Sequence, residues 1–581
     1  MKRKLSVTLS MFFLLTTAAF FVRAPELQAN SFFWQGTDVS DSGPIGLINY
    51  NKHKEIHDAL LKALPVELNA DNFPDPDSGM GDNGLTRMPT AVLAGERGLR
   101  INKPGKTWGG YTVLNAFVGP GPGFFGGPPV VLIDMDGNVV HQWSGSGGGF
   151  GGAAKMLKGG YIVSGEGGFF GGGDLVQRDW CGNVVKVFEG LNNHHDHQRE
   201  GSTDGYYYPG QAAFADHGKS LSLGAVDVGP DAEAGVDLVE DTTYIVNVKR
   251  HDSSRPHRPI TDDVIREIPW DWDGTNALFE WNARDHFIPA GPGDLGFGLA
   301  EDEAAKYALD LGLNSGGAGN SWSNVGPGSR EDWSHGNSVA WLGNNKWYTK
   351  YKDERFHPDN IIADFRSLNV TVIIARYDHP EGDWNAGDIV WRLGPNYGTD
   401  GENGQVGQII GQHMAYMIPD TVPGGGNILI FDNGGGAGYG ALIEGLTDPD
   451  TGDKLGFWPN KYRNFSRVLE INPITKQIVW QYVQAKPTSG DALGNNHLFY
   501  SNIMSGAQRL HNGNTLITEA DTGRVFEVTM EKEVVWEYAP DWISSGGFFG
   551  SIYRAYRVPY SWVSEKLLKD KNGDGSYDVC Q

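Results

Sequence analysis

The chain has 581 residues, a formal net charge of −24, 82 glycines and only two cysteines. Such a length can bury a large core, as several domains or as one large repeat fold. The acidic balance repels polyanions and argues against a nucleic-acid partner; glycine at about twice its usual share, with 12 % aromatic residues and no long heptad run, argues for short strands and tight turns over helical bundles.

In chain order, Lys2, Arg3 and Lys4, an apolar run over 5–22 and Ala29 read as an export signal over 1–29. The run is near the lower limit for a membrane span, so an uncleaved anchor stays open. No later segment is apolar enough to cross a bilayer, so no membrane association is expected after signal removal, and the destination reads as periplasmic or secreted. Export permits a disulfide between Cys181 and Cys580; two free thiols are the alternative. Residues 30–97 form an irregular N-terminal extension, with helical spacing over 52–63 and an Asp-, Pro- and Gly-rich loop over 71–84.

From residue 98 to about 560 a repeat emerges. Residues 130–143, VVLIDMDGNVVHQW, combine a strand, an Asp-Gly-Asn turn and a second strand, a hairpin pattern. It returns at 175–188, 265–281, 372–393, 467–482 and 524–538, usually closing on an aromatic residue. Further strands lie between the copies, as at 159–165, 427–433 and 512–519. Four short strands per unit and about six units predict an all-β chain: a six-bladed β-propeller over 98–560, preceded by the irregular extension and followed by a short tail over 561–581. The Gly-rich stretches 121–127 and 147–173 lack a following Gly-Lys-Ser/Thr and a helix start, and read as tight turns rather than phosphate loops. The tail DKNGDGSYD, 570–578, resembles the first half of a calcium loop but lacks the distal glutamate; calcium and a solvated polar tail are both kept open there, and no other cofactor is called for.

In a propeller the chain leaves the outermost strand of one blade for the innermost strand of the next. The residue just before an innermost strand therefore lies at one mouth of the central channel. His195 in NHHDHQREG follows the second copy, His335 in DWSHGNSVA the third and His413 in GQHMA the fourth. Asn337 and Arg366 lie near His335, and Arg199 lies close behind His195. Three imidazoles suit zinc, or a nucleophile with donors for an anion. Arg and Asn beside them favour the second, because a sulfuryl or phosphoryl group needs donors in place more than a strong base, and histidine nitrogen is a competent nucleophile. A hydrogen-bonded turn residue is the plain alternative for each histidine alone.

The segments DWSHGNSV, GQHMA, NILIFDNGG and HNGNTLITEADTGRVFEV resemble those of the bacterial arylsulfate sulfotransferases and their arylsulfotransferase-like relatives. HHDHQREGSTDGYYYPG resembles the variant of the second-blade motif in those relatives. The resemblance covers about 98–560. It implies a six-bladed propeller exported to the periplasm and a transfer independent of the nucleotide donor PAPS. In that reaction a phenolic sulfate ester gives its sulfuryl group to a histidine and a second phenol takes it. The sulfated histidine matches His413, and the helper pair of the H-x-N-S motif matches His335 and Asn337. The remaining axial histidine matches His195, with His194 and His197 as rivals. The arginine matches Arg366 by its distance from H-x-N-S, and Thr518 fills the family's threonine position as a substrate-binding residue. The chain departs from the family's best-known enzymes in three ways: it has no cysteine in the region where they carry a nearby disulfide before the nucleophile, Met414 stands where Asp is usual, and no N-terminal β-domain is evident.

The expected partners are thus an aryl sulfate donor and a phenolic acceptor, with a homodimer left open. The reading is a ping-pong aryl sulfotransferase in which His413, His335, His195, Arg366 and Asn337 carry the chemistry and no metal does. Two alternatives stand beside it: a non-catalytic propeller binding a sulfated or carbohydrate ligand, and a metal-dependent hydrolase or lyase on the same fold.

Overall fold

A computed structural model describes residues 97–116, 130–143, 153–166, 173–201, 214–228, 260–286, 331–332, 334–380, 384–394, 406–407, 409–434, 437, 465–483, 499–501, 503–542, 552–569 and 580. The export signal, nearly all of the N-terminal extension, most of the Gly-rich stretches and the calcium-like tail lie outside the described residues.

Each hairpin of the repeat is present. Val130–Ile133 pairs with Val139–Trp143, Gly173–Arg178 with Val184–Arg199, Ile260–Ile268 with Phe279–Asn282, Val370–Ile374 with Ile389–Leu393, Arg467–Ile471 with Ile478–Val483, and Arg524–Val528 with Val534–Ala539, all antiparallel. The turns explain why. Asp134 Oδ1 accepts the amides of Asp136 and Asn138, both at 2.9 Å, and Asp179 Oδ1 does the same for Cys181 and Asn183. These side chains replace backbone partners and fold the turn locally. Gly137 and Gly182 sit at φ 82° and 83°, the left-handed step the turn requires.

The aromatic residue that closes most copies has a second use. Trp143 donates its indole N–H to Asp179 O at 3.1 Å, Trp281 to Gly387 O at 2.9 Å, Trp391 to Pro473 O at 2.7 Å and Trp480 to Met530 O at 2.8 Å. Each acceptor belongs to the outer hairpin of the next unit. Between the second and third units the link runs the other way, from the Trp272 indole to Glu189 O at 2.9 Å. Trp536, in the last copy, donates to Met135 O in the first at 2.9 Å. The chain of indole contacts therefore runs around a ring and closes on its own start.

The sheets form a propeller-like arrangement. Four are blade-like: three of four strands, and one of five in which Gly98–Asn102 is added beside Val534–Ala539. The remaining sheet has eight strands, seven of them in its main path. This corrects the expectation of six separate blades. The reason is local: Val184–Arg199 is one 16-residue strand. Its first part pairs with Gly173–Arg178 and its last with Ser220–Val228, with left-handed residues at Gly190 and Asn192 between. What was expected to be a crossing from one unit to the next is a bent continuation of one strand, so two sets of strands are joined.

Closure comes from the far end of the chain. Ile552–Val558 pairs with Tyr111–Ala116 and completes the first sheet as its inner edge. Cys181 and Cys580, 399 positions apart, form a disulfide that ties the tail to the turn of the second hairpin. Buried apolar residues fill the spaces between sheets; the largest cluster includes Leu132, Ile162, Leu429, Val468 and Phe526, contributed by four sheets.

Candidate functional site

The three predicted histidines come together. His195 and His335 have ring centroids 4.7 Å apart, and both His335 and His413 act electrostatically on His195. His335 directly precedes, and His413 begins, a strand at one edge of its sheet, whereas His195 lies in the later part of the bent strand Val184–Arg199, where that strand pairs with Ser220–Val228.

A repeated backbone device aims them. His195 and His335 adopt φ 58° and 51°, and Met414, just after His413, adopts φ 51°. In all three places the pairing with the next strand slips: between Asn193 and His197, between Gly336 and Ser338, and between His413 and Tyr416. Such bulges turn a side chain away from its place in the pleat. Left-handed non-glycine residues cost of order 1–2 kcal/mol each, so the surrounding sheets hold this geometry against a local preference. The fifth sheet has the left-handed step alone, at Met504 and Ser505, φ 57° and 81°, ahead of Gly506–Arg509, which pairs without a slip.

His413 is buried, and its protonation pattern follows from its neighbours. Asn433 uses its amide N–H groups on Ser501 O at 2.8 Å and Met504 O at 3.0 Å. Its Oδ1 therefore faces His413 Nδ1, at 2.8 Å, as an acceptor; Gly411 O also accepts from that nitrogen at 3.0 Å. Nδ1 carries the proton, and the lone pair is on Nε2. The amide of Met504 donates to that lone pair at 3.1 Å. Burial, then the Arg366 guanidinium, push the His413 pKa well below the ordinary imidazole value, so the ring is neutral at neutral pH. Burial and the neighbouring His335 do the same for His195.

The donors divide into those at the site and those spent elsewhere. Arg366 opens the turn Arg366–Leu368, its amide donates to His335 O at 3.1 Å, and its charge acts on His413. Asn337 gives one N–H to Gln412 O at 2.8 Å, stitching the strand of His335 to that of His413. Thr518 accepts the Ala555 amide at 3.0 Å, so its hydroxyl binds the closing strand to the fifth sheet. Arg199 acts by its charge on His197 and makes its own contacts away from His195, His335 and His413. Its Nε donates to Ser220 Oγ at 2.8 Å, and its guanidinium lies over Trp270 and Phe188 at 4.9 and 5.3 Å; it follows the bulge by four residues and falls on another face. His197, one rival for the axial position, is buried with both ring nitrogens lacking hydrogen-bond partners, and burial lowers its pKa to about 3.

Several participants were missed from the sequence. Asp196 is a buried hub: Lys155 Nζ lies 2.8 Å from Oδ1, while Arg554 Nη1 and the Val339 amide reach Oδ2 at 3.2 and 3.1 Å. Arg554 also donates to Asn337 O at 2.6 Å and adds positive potential at both His195 and His413. These contacts join strands of several units to the closing strand. Asp196 was visible in the HHDH motif, but partners up to hundreds of residues away were not. Among the described residues, no group of three or more His, Cys, Asp or Glu side chains is gathered as a metal site would require.

No family model matches the chain, and no curated protein matches it. Among solved structures, a Bacteroides caccae protein of unknown function aligns at 11 % identity over 77 % of this chain and 98 % of its own, with TM-score 0.32. A dihydro-heme d1 dehydrogenase aligns at 12 % identity over 78 % and 76 %, with TM-score 0.30. A putative 6-phosphogluconolactonase from Bacteroides fragilis aligns at 9 % identity over 78 % and 100 %, also with TM-score 0.30. Likeness at this level identifies neither a family nor an activity.

Proposed function

We propose that the chain is an arylsulfotransferase-like enzyme that moves a sulfuryl group from an aryl sulfate to a phenol through His413, with no nucleotide donor. One observation carries the reading: His413 is a buried neutral imidazole with Nδ1–H held by Asn433 and Gly411 and its lone pair on Nε2. Its neighbours include two further histidines and a guanidinium.

In the first half-reaction Nε2 attacks sulfur. The N–S bond forms, the S–O bond to the aryl group breaks, and the aryl oxygen leaves with the electron pair. In the second, a phenol oxygen attacks the same sulfur, loses its proton to a base and returns the N–S pair to His413. Arg366, His335 and Asn337 are the donors for the equatorial oxygens, whose charge is stabilised by preorganised groups. The Met504 amide must leave the lone pair before attack. It is then placed beside the sulfuryl oxygens, at a peptide already held in a left-handed turn.

On this reading the eight-stranded sheet is two blades joined by the bent strand Val184–Arg199, which makes six blades in all. The ring of indole contacts, closing from Trp536 onto Met135, supports that count. The Cys181–Cys580 disulfide supports an exported protein in an oxidising compartment.

The test is transfer from para-nitrophenyl sulfate to phenol. Parallel lines in double-reciprocal plots and loss of transfer in His413→Asn are expected. A folded chain that transfers nothing over a panel of aryl sulfates contradicts the reading. The second reading, a propeller that binds a sulfated ligand without turnover, is favoured by the Met504 amide on Nε2; it requires saturable binding of the aryl sulfate with no phenol released.

A further inference from the structure

The sulfuryl-transfer reading leaves open which group takes the phenol proton and how that group is kept in the right form. A second line of contacts bears on this. His194 Nδ1 lies 2.7 Å from His195 Nδ1, so one of these nitrogens donates and the other accepts. On its other side, His194 Nε2 faces Asp263 Oδ1 at 3.1 Å, an ion-pair distance bent from a straight hydrogen bond. Asp263 is buried, and its other oxygen accepts the Ser334 hydroxyl and, at 2.6 Å, the Gly336 amide.

Those two donors make the Asp263 carboxyl an acceptor. A lone pair on His194 Nε2 would meet the carboxylate's own lone pairs, so Nε2 carries the hydrogen. In a neutral ring Nδ1 then accepts, and the donor between the two histidines is His195 Nδ1–H. The lone pair of His195 is thereby assigned to Nε2. Asp263 also grips the residues on both sides of His335, Ser334 and Gly336, so one carboxylate sets the tautomer of one axial histidine and the backbone around the next.

We infer that Asp263 and His194 form a positioning relay that holds His195 in the Nδ1–H tautomer, so that His195 Nε2 is the general base for the acceptor phenol. The inference rests on the transferase reading for its reaction. The phenol O–H breaks as its oxygen bonds to sulfur. The proton goes to His195 Nε2, the N–S pair returns to His413, and the resulting imidazolium is stabilised through His194 by the Asp263 charge. It later releases the proton to solvent, which replaces the one taken up by the phenolate released in the first half-reaction, so the overall exchange balances without another reactant. His194 is then a positioning residue, not the alternative axial histidine.

The relay serves the second half-reaction and not departure of an acidic leaving group, which separates it from a structural role. With para-nitrophenyl sulfate, His194→Ala is expected to keep the rate of the first-turnover nitrophenol burst within about 3-fold; Asp263→Asn, which also loosens the backbone on both sides of His335, is read on turnover and on the His195 tautomer only. Turnover with phenol as acceptor should fall about 100-fold, in the range of general-base effects. His194→Gln, which keeps an oxygen to accept from His195, should recover part of that loss. Burst and turnover falling together in His194→Ala, or turnover unchanged in both His194→Ala and Asp263→Asn, would overturn the relay. A readout independent of activity is the nitrogen NMR of imidazole-labelled protein, with the His195 signal assigned through His195→Gln. Parent protein should show His195 protonated at Nδ1, and Asp263→Asn a mixture; a His195 protonated at Nε2 in the parent would overturn the relay. Absence of any burst in the parent, with His195 still protonated at Nδ1, would count against the transferase reading and leave the relay in place.

Discussion

Two regions of the molecule use buried polar groups in opposite ways. In the fourth and fifth sheets buried charges are matched: Arg467 with Asp432 at 2.5 Å, Arg509 with Glu470 at 2.6 Å, and Arg524 with Glu537 at 2.8 Å. Around the clustered histidines the buried groups include imidazoles held neutral, on backbone turned left-handed at His195, His335 and Met414. The first region uses polarity to fix strands. The second keeps polarity in a state that chemistry can change. The Asp196 hub, with Lys155 and Arg554, lies between them: its ion pairs belong to the first kind, and its position on the strand of His195 belongs to the second.

Substitutions can break this contrast, and the largest effect is expected on chemistry. His413→Asn should lower transfer by at least about 1,000-fold, as loss of a nucleophile does, while the urea midpoint moves little. Activity surviving that change would place the chemistry elsewhere. Arg467→Met should do the converse. It strands Asp432 without its buried partner and should cost about 3–5 kcal/mol of stability, read from denaturant unfolding, while the folded fraction keeps its activity. Replacing both Cys181 and Cys580 with serine should cost about 2–4 kcal/mol, with no change in transfer by the folded protein.

A smaller effect separates the two regions by pH. Histidines with depressed folded pKa values, among them His195, His197 at about 3 and His413, bind fewer protons when folded than when unfolded. Their contribution is complete above the unfolded value, about 6.5, and is lost as pH falls from there toward the folded values. Asp364 has the opposite sign. Burial raises its carboxyl to about 8 although Gln412 and Thr371 donate to it. The folded state therefore holds a proton that the unfolded state releases, and stability falls as pH rises from about 4 through 8. Asp364→Asn, which imitates the protonated form, should raise the melting temperature at about pH 9 by about 2–4 °C and leave it nearly unchanged near pH ~5. A lower melting temperature in the alkaline sample would show that the ionised carboxylate is needed there.

The outer hairpins were legible because their determinants are local: Asp134 and Asp179 fold their turns with amides two and four residues away. The positions of His335 and His413 were legible for a related reason, since one stands just ahead of and the other at the start of an edge strand of its sheet; His195 was found from the same pattern although it lies within the bent strand Val184–Arg199. The joined eight-stranded sheet was not, because its cause is a change of direction within one strand at Gly190 and Asn192, which looks like continuous polar sequence. Arg554 and Asp263 were also hidden. Arg554 comes from the closing strand and meets Asn337, 217 positions away, and Asp263 reaches Ser334 and Gly336 over 71 and 73. Arg199 shows the reverse case: it is near His195 in sequence, yet it packs on Trp270 and Phe188.

The central claim is that His413 Nε2 becomes sulfated. It is tested most directly by mixing the protein with an aryl sulfate without acceptor, quenching at high pH and weighing the peptides. One added sulfuryl group on the peptide bearing His413, removed when phenol is supplied and missing in His413→Asn, is the expected result. Release of phenol with no such mass on that peptide, or the same mass on a different residue, would contradict it.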